Sequence, residues 1–292
     1  VMEVSTGKIL ESENLNTRLA PASITKLMVA DIIMDKLSRN EIKLTDTVTV
    51  SSQASKIGGS QVYLKAGEVF TLEEMMKAMM IASANDAAYA IAEHVGGSRE
   101  EFVALMNERA KALSMNESEF HSPHGLPPSA GEKEDLVSCN DLLILARDLL
   151  RYPKLLEWTG SKSDTFRNGT FGLTNTNKLL THMSEVDGLK TGFYREAGFS
   201  IVATAKRGDL RFIAVVMGCP TNKGRDKLAA QKLKTYFSQF KPVQIVKKGD
   251  IIDKEIILED GKFRKIKGTA ATDFSYAVQV SKKGDVKKEY VI

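Results

Sequence analysis

Two residues near the amino end have the types and spacing of a catalytic nucleophile and its base. Ser23 and Lys26 are three residues apart, and residues at this spacing share one face of a helix. A serine hydroxyl is a poor nucleophile until a neighbouring base takes its proton. A lysine can be that base if burial and nearby positive charge keep its amine neutral. The pair alone is a weak signal, because Ser5 and Lys8 repeat the spacing and a capped helix with a solvated lysine would look the same.

A second candidate is Ser83-Ala84-Asn85, which interrupts two apolar segments that predict helices. Ser-x-Asn recurs elsewhere in the chain, so the pattern has little weight by itself. At Ser138 a helix cap accounts for it, because Ser138 and Asp141 fit a capping box. Ser83 differs in its context, since a polar loop between two buried helices would face a cleft.

A third candidate is Lys190-Thr191-Gly192, which occurs once in the chain and precedes strand-like residues. Glycine in or beside a strand allows another backbone to approach closely. The alternative is an ordinary turn before a strand.

The three motifs are stronger together, because Ser83 follows Ser23 by 60 residues and Lys190 follows Ser83 by 107. Their order is typical of the serine penicillin-recognising enzymes. The sequence resembles the low-molecular-mass, penicillin-sensitive D-alanyl-D-alanine carboxypeptidases, peptidase family S11. Further segments also resemble sequences of this family. They are Thr6-Gly7-Lys8-Ile9-Leu10, Pro21 to Met28, Ser83 to Ala88, His124-Gly125-Leu126, Gly188 to Gly192 and Val215 to Gly218, with Arg225 following. The resemblance covers residues 1 to about 240 and, more loosely, the remainder.

This resemblance implies a role for each motif residue in cleaving a peptide that ends in D-Ala-D-Ala. Ser23 would attack the carbonyl of the penultimate D-alanine, with Lys26 as its general base. The backbone N–H groups of Ser23 and Phe193 would form the oxyanion hole. Ser83 would pass a proton to the leaving amine, and Lys190 would tune Ser83 electrostatically.

The resemblance also implies how the substrate is held. Asn85 would bind the substrate amide and position Lys26. The strand from Lys190 through Gly192 to Phe193 would accept the peptide edge-on. Thr191 and Arg225 would bind its free carboxylate, which the planar fork of arginine fits well. An exposed arginine at a helix start is the alternative for Arg225.

His124 and the two cysteines are interpreted as structural. His121 and His124 lie three residues apart, but no third ligand is evident, so we expect no metal. His124 is predicted to line the cleft. Cys139 and Cys219 have no metal-binding spacing. We expect two unpaired, partly buried thiols, and a single disulfide is the alternative, whose geometry the sequence does not test. The chemistry requires no cofactor.

Composition sets limits on the class of protein. The 292 residues are 42% hydrophobic and 27% charged, with a net charge of +4, as in an ordinary globular protein. The basic residues form no dense stripe, so we expect no nucleic-acid partner. No apolar run is long enough to span a bilayer.

Apolar periodicity predicts the elements that must position the motifs. Helices are predicted over 24–37, 71–82, 87–94, 99–113, from a cap at Ser138 to about 152, and 227–237, and strands over 1–4, 199–205 and 212–217. After residue 240 the sequence becomes rich in lysine, and apolar and polar residues alternate. Turns are expected at Gly249, Gly261, Gly268 and Gly284.

These elements predict a mixed α/β (α+β) fold with two domains. Residues 1–240 would form the catalytic domain and 241–292 a small β-rich domain. The resemblance implies that the first is a penicillin-binding or β-lactamase-like transpeptidase domain. Such a domain has an antiparallel sheet flanked by helices and an all-helical subdomain.

Two alternative functions remain open at the level of sequence. A serine β-lactamase shares the fold and nucleophile, but class A enzymes have Ser-Asp-Asn and a loop glutamate for the deacylating water. We find Ser83-Ala84-Asn85 and no convincing Glu-x-x-Leu-Asn segment before Lys190. A non-catalytic wall-binding protein would be expected to lose at least one motif residue, and all are intact.

The resemblance implies an extracytoplasmic location, where stem peptides are trimmed and β-lactam antibiotics act as covalent inhibitors. Members of the family usually carry an amphipathic helix after the β-domain that lies on the membrane surface. The sequence shows no such helix up to Ile292, and Val1 to Val4 already resemble a strand. We therefore expect it to be a piece of a longer protein that lacks its anchor.

Overall fold

The polypeptide folds into mixed helices and antiparallel sheets, of which the computed structural model describes residues 1–257 and 263–281. The strands are β1 (Met2–Glu3), β2 (Thr47–Thr49), β3 (Val69–Thr71), β4 (Ser163–Phe166), β5 (Phe171–Thr174), β6 (Val186–Tyr194), β7 (Gly198–Arg207), β8 (Leu210–Cys219), β9 (Phe240–Val246), β10 (Ile251–Ile257), β11 (Phe263–Thr269) and β12 (Phe274–Gln279). The helices are α1 (Lys26–Ser38), α2 (Leu72–Ile81), α3 (Asn85–Gly96), α4 (Arg99–Ala112), α5 (Cys139–Leu149), α6 (Pro153–Gly160), α7 (Leu179–His182) and α8 (Asn222–Gln239).

The central sheet has four antiparallel strands in the order β1-β8-β7-β6. Successive side chains of a strand point to opposite faces, and β7 is apolar on both. Val202 packs into a core shared with α1, α2 and α3, whereas Ile201 and Ala203 pack into a second core with α8. Burial on both faces fixes the register of β7 and therefore the position of its neighbour β6.

The helices on one side form the all-helical part of the fold, and the sequence signals for their ends are partly confirmed. Thr71 and Glu74 form the predicted capping box at the start of α2. The prediction at Ser138 is only half right. Ser138 accepts a hydrogen bond from the Asp141 N–H, but the Asp141 carboxylate instead accepts from Glu117 N and Ser118 Oγ.

Several predicted boundaries differ from the structure. Ser23 lies in a 3₁₀ turn, Ala22–Thr25, and α1 begins at Lys26. The short hairpins β2-β3 and β4-β5 and the helices α6 and α7 were not predicted. Helix α8 begins five residues before the predicted start at 227.

The strands after α8 pair with one another. β9 pairs with β12 and β10 with β11. Gly249 lies in a turn with φ +91°, as predicted. Gly268 does not, because it pairs with Ile252 within β11, and Gly261 and Gly284 lie outside the described residues. Among the described residues, no helix is both long and apolar enough to cross a membrane.

Candidate active site

Lys26 is fully buried at the first residue of α1, one turn after the partly exposed Ser23. Its Nζ lies 2.8 Å from Ser23 Oγ, 2.6 Å from Asn85 Oδ1 and 2.7 Å from the His124 carbonyl oxygen. Two of these partners can only accept hydrogen bonds. A neutral amine has two N–H groups for them and one lone pair, which is left to accept the Ser23 hydroxyl proton.

The electrostatic environment favours that neutral amine. Burial holds the pKa of Lys26 well below its usual value, and the charge of Lys190 lowers it further. Asp135 and Asp86 oppose this shift, because their negative charges raise the pKa of Lys26. Burial dominates, so the residue has the properties required of a base.

Ser83 and Lys190 form a second serine–lysine pair, 107 residues apart in sequence. Lys190 Nζ donates to Ser83 Oγ at 2.8 Å and to the Thr191 carbonyl oxygen at 3.1 Å. Burial lowers the pKa of Lys190 to about 7, with Arg225 contributing in the same direction. Ser83 has φ +62° in the turn between α2 and α3, a conformation that costs about 1–3 kcal/mol in a residue other than glycine.

Asn85 is held from two sides as the first residue of α3. Its Nδ2 donates to the Gly58 carbonyl at 2.7 Å, while its Oδ1 accepts from Lys26. The neighbouring Asp86 accepts from Leu64 N at 3.1 Å and from Val62 N. The 58–64 loop therefore fixes the orientation of the amide.

Gly192 allows β6 to pass very close to the turn that carries Ser23. A Cβ added at Gly192 would lie 2.3 Å from the Pro21 carbonyl oxygen. Gly125 makes a similar approach from the other side, where a Cβ would lie 1.9 Å from the Ala22 carbonyl oxygen. No side chain larger than hydrogen fits at either position without backbone movement.

Thr191 and Arg225, the residues predicted to bind the substrate carboxylate, lie near the Ser83–Lys190 pair. Thr191 Oγ1 donates to Thr176 Oγ1 at 2.8 Å. Arg225 is buried rather than exposed, which argues against the alternative of a surface arginine. Its Nε and Nη2 contact Asp226 Oδ1 at 2.8 and 2.7 Å.

Phe193 follows at the exposed end of β6. The residue is 53% exposed, and its ring stacks on the ring of Phe199 at a centroid distance of 4.0 Å. The contact of Lys26 with Asn85 and that of Lys190 with Ser83 bring residues of all three motifs together.

His124 has a structural position. Its ring is buried against Tyr89, and its Nδ1 accepts from Leu126 N at 3.1 Å. Burial and the charge of Lys26 lower its pKa to about 3. It contributes its carbonyl oxygen, not its imidazole, to Lys26. Cys139 and Cys219 are both free thiols.

Sequence reasoning missed two polar residues next to the site, Thr176 and Asp135. Thr176 contacts Thr191, and Asp135 is buried and hydrogen-bonded to Thr25. Asp135 ends the run Glu132-Lys133-Glu134-Asp135, which has the composition of an exposed loop. No local pattern distinguishes it from its solvated neighbours.

Taken together, a serine against a buried lysine of lowered pKa and a second serine–lysine pair are what a serine acyl-transfer enzyme requires. Comparison with known proteins narrows this class. A family model described as D-alanyl-D-alanine carboxypeptidase, Peptidase_S11, matches residues 1–221. The chain therefore belongs to the D-alanyl-D-alanine carboxypeptidase family.

Individual relatives agree with this assignment. The chain is 40% identical to the D-alanyl-D-alanine carboxypeptidase DacF of Bacillus subtilis (strain 168), covering 99% of this chain and 74% of that protein. It is similar to the structure of penicillin binding protein 5 from Haemophilus influenzae, with a TM-score of 0.86 and 29% identity over 98% of this chain and 83% of that chain. It is also similar to penicillin-binding protein D2 from Listeria monocytogenes in an ampicillin-bound form, with a TM-score of 0.71 and 29% identity over 80% of this chain and 93% of that chain.

These matches confirm the predicted family, the mixed α/β fold class and the predicted activity, that of a serine D-alanyl-D-alanine carboxypeptidase. The enzyme is a hydrolase with a function in cell-wall peptidoglycan. Its function is extracytoplasmic. The alternatives of a β-lactamase or a non-catalytic wall-binding protein are not favoured.

Proposed function

We propose that Ser23 is the nucleophile and Lys26 the base of a D-Ala-D-Ala carboxypeptidase that trims peptidoglycan stem pentapeptides. The observation that carries this proposal is the set of three contacts at Lys26 Nζ, with Ser23, Asn85 and the His124 carbonyl. They orient the lone pair of a neutral amine towards the hydroxyl. Proton transfer to Lys26 then creates the nucleophile where the substrate carbonyl would bind.

Acylation follows from these positions. Ser23 Oγ bonds to the carbonyl carbon of the penultimate D-alanine as Lys26 takes the hydroxyl proton. The N–H groups of Ser23 and Phe193 hold the oxyanion. The C–N bond then breaks, and Ser83 protonates the leaving amine. The proton taken by Lys26 replaces the one that Ser83 gives up, so D-alanine leaves as a neutral amine and the acyl group stays on Ser23.

Deacylation reverses the proton transfers with water in place of the amine. Lys26 takes a proton from water, the hydroxide oxygen bonds to the acyl carbon, and the ester bond to Ser23 breaks. Lys26 returns the proton to Ser23 Oγ. A bound β-lactam acylates Ser23 in the same way: the serine oxygen bonds to the lactam carbonyl carbon and the ring C–N bond breaks. The leaving nitrogen stays tethered to the acyl group and obstructs the water.

Substrate selection is proposed to depend on Asn85, Thr191, Gly192 and Arg225. The edge of β6 pairs with the extended peptide, as in other strand-addition complexes. Thr191 and Arg225 bind the terminal carboxylate, which restricts cleavage to the last peptide bond. Lys190, buried beside Ser83 and Arg225, adds positive charge at the same end of the site.

The wider setting is also a proposal. The enzyme works on the wall side of the cytoplasmic membrane, where its substrate lies. Residues 1–240 are the catalytic domain and 241–292 a separate β-rich domain. Contact with the membrane surface through a C-terminal anchor, as in other family members, stays a prediction.

The test is D-alanine release from an N-acylated tripeptide ending in D-Ala-D-Ala. The protein is expected to release one D-alanine per peptide, and Ser23→Ala to lower kcat by roughly 10³-fold or more. Ser5→Ala is the matched control, because Ser5 belongs to the other Ser-x-x-Lys of the chain and is exposed. Unchanged release by Ser23→Ala would rule out the assigned nucleophile.

A further inference from the structure

Asp135 is a carboxylate buried beside the proposed base, with only 6% of its surface exposed. Its Oδ1 accepts from His121 N at 2.6 Å and Ser122 N at 2.9 Å. Its Oδ2 accepts from Ser122 Oγ at 2.7 Å and Thr25 Oγ1 at 3.1 Å. Burial raises the pKa of the Asp135 carboxyl, whereas the hydrogen bonds from these four donors lower it, because they favour the charged form.

These contacts connect Asp135 to Lys26 along two short paths. Thr25 immediately precedes Lys26 in the turn that also contains Ser23. Ser122 Oγ accepts from Gly125 N at 2.8 Å, which fixes the loop whose His124 carbonyl accepts from Lys26 Nζ at 2.7 Å. Both the residue before the base and the base's own acceptor are therefore held by the same carboxylate.

We propose that Asp135 is a positioning residue for the general base: through Ser122 and Thr25 it holds the His124 carbonyl and the turn before α1 in place around Lys26. The proposal rests on the function proposed above for Lys26.

The charged groups that act on Lys26 come from three directions. Lys190 on β6 lowers the pKa of Lys26, whereas Asp86 on α3 and Asp135 raise it. His124 is neutral at physiological pH, since burial lowers its pKa to about 3. For Lys190 the charged group that acts is Arg225. A change of charge at Asp135 is thus expected to affect Lys26 and leave Lys190 unaltered.

The informative variant is Asp135→Asn, which keeps the shape and removes the charge. The amide oxygen can still accept from the two backbone N–H groups, and the amide nitrogen can donate to the Ser122 and Thr25 hydroxyls. Without the carboxylate charge, the pKa of Lys26 falls. The rising limb of the pH profile for acylation by benzylpenicillin is therefore expected to move to lower pH.

The expected size is a rise of roughly threefold or more in the acylation rate on the acid side, relative to the alkaline plateau, as for removal of one unit charge at short range. Asp141→Asn is the matched control. Asp141 is equally buried and accepts from Glu117 N and Ser118 Oγ at 2.8 Å each, but it does not act on Lys26.

A second variant keeps the test valid if Asp135→Asn is unstable. Ser122→Ala retains the charge of Asp135 and removes the link to Gly125 N. This variant is expected to slow acylation about tenfold or more, because a displaced His124 carbonyl oxygen would misplace Lys26. The rising limb of the pH profile should stay where it is in the wild type.

The results with these variants distinguish a failure of the role proposed for Asp135 from a failure of the role proposed for Lys26. The proposal is overturned if folded Asp135→Asn has the wild-type pH profile, if Asp141→Asn shifts the limb equally, or if Ser122→Ala acylates at the wild-type rate. Lys26→Ala is measured in parallel. Wild-type acylation by Lys26→Ala would instead refute the proposed function of Lys26 itself.

Discussion

At the scale of single residues, the site depends on two lysines that the fold deprives of water. Lys26 and Lys190 are both fully buried, and burial is the largest cause of the lowered pKa of each. The charge of Lys190 further lowers the pKa of Lys26, and the charge of Arg225 further lowers the pKa of Lys190. This arrangement keeps one amine available as a base while the site as a whole attracts a carboxylate.

Lys26→Arg tests the requirement for a neutral base. A guanidinium does not lose its proton in a protein, so the acylation rate with benzylpenicillin is expected to fall by roughly 10³-fold or more. Stopped-flow or quenched mass spectrometry would measure this rate. Lys8→Arg, in the exposed Ser-x-x-Lys, should behave as the wild type. A Lys26→Arg protein that acylates normally would be incompatible with the proposed mechanism.

Arg225→Ala tests the binding of the terminal carboxylate. Loss of a charge-assisted hydrogen bond is expected to lower kcat/KM by about 10- to 100-fold for a peptide with a free carboxylate. The corresponding C-terminal amide, already a poor substrate, should lose far less. Arg207→Ala is a suitable control, because Arg207 pairs with Glu185 on the surface. Equal losses for the two peptides would argue that Arg225 is only structural.

At the scale of elements, the position of Ser23 depends more on close contact between backbone segments than on side-chain packing. β6 passes the turn before α1 at a distance that only glycine permits at position 192. The 121–125 loop approaches the same turn through Gly125. Ser23 is therefore fixed between two backbone segments, and small displacements of either would misplace it.

Gly192→Ala tests this arrangement. The new Cβ would meet the Pro21 carbonyl oxygen at 2.3 Å, so one backbone must move. The acylation rate is expected to fall on the order of 100-fold, as a displacement of about 1 Å typically costs. Gly172→Ala in β5 is the matched control, since a Cβ there meets nothing within 4 Å. Wild-type kinetics in Gly192→Ala would mean that this contact does not position Ser23.

Sequence periodicity predicted helices with one apolar face, such as α2 and α4, and it predicted β7 as a short apolar run. It missed β2, β3, β4 and β5, because strands of three or four residues have too few alternations to be recognised. The three motifs, Ser-x-x-Lys, Ser-x-Asn and Lys-Thr-Gly, predicted which residues lie together in the site. The positive φ of Ser83, the burial of Arg225 and the role of Asp135 depend on contacts between distant segments, and no local pattern reveals them.

At the scale of the whole molecule, every proposed site residue precedes residue 240. Among the residues whose burial the structure describes, Ala277 is the only member of the two cores that comes from the strands after α8. Phe240, at the domain border, packs against Phe212. The site is thus built entirely from one part of the chain. This supports the proposed division at residue 240.

A protein ending at residue 240 tests that division. It is expected to fold and to be acylated by benzylpenicillin within about twofold of the full chain, because both cores are retained. The melting temperature should fall slightly, since contacts with Ala277 are lost. Acylation kinetics and thermal unfolding measure both. Loss of acylation in a folded protein would show that the β-rich segment contributes to the site.

The central claim is that Ser23 is an activated nucleophile that forms an acyl-enzyme. Intact-protein mass spectrometry over time after adding benzylpenicillin tests it most directly, with Ser23→Ala alongside. The account predicts one persistent adduct of the mass of one benzylpenicillin molecule, absent from Ser23→Ala. No adduct on the wild type, or the same adduct on Ser23→Ala, would contradict it, and a fleeting adduct with rapid consumption of penicillin would indicate a β-lactamase.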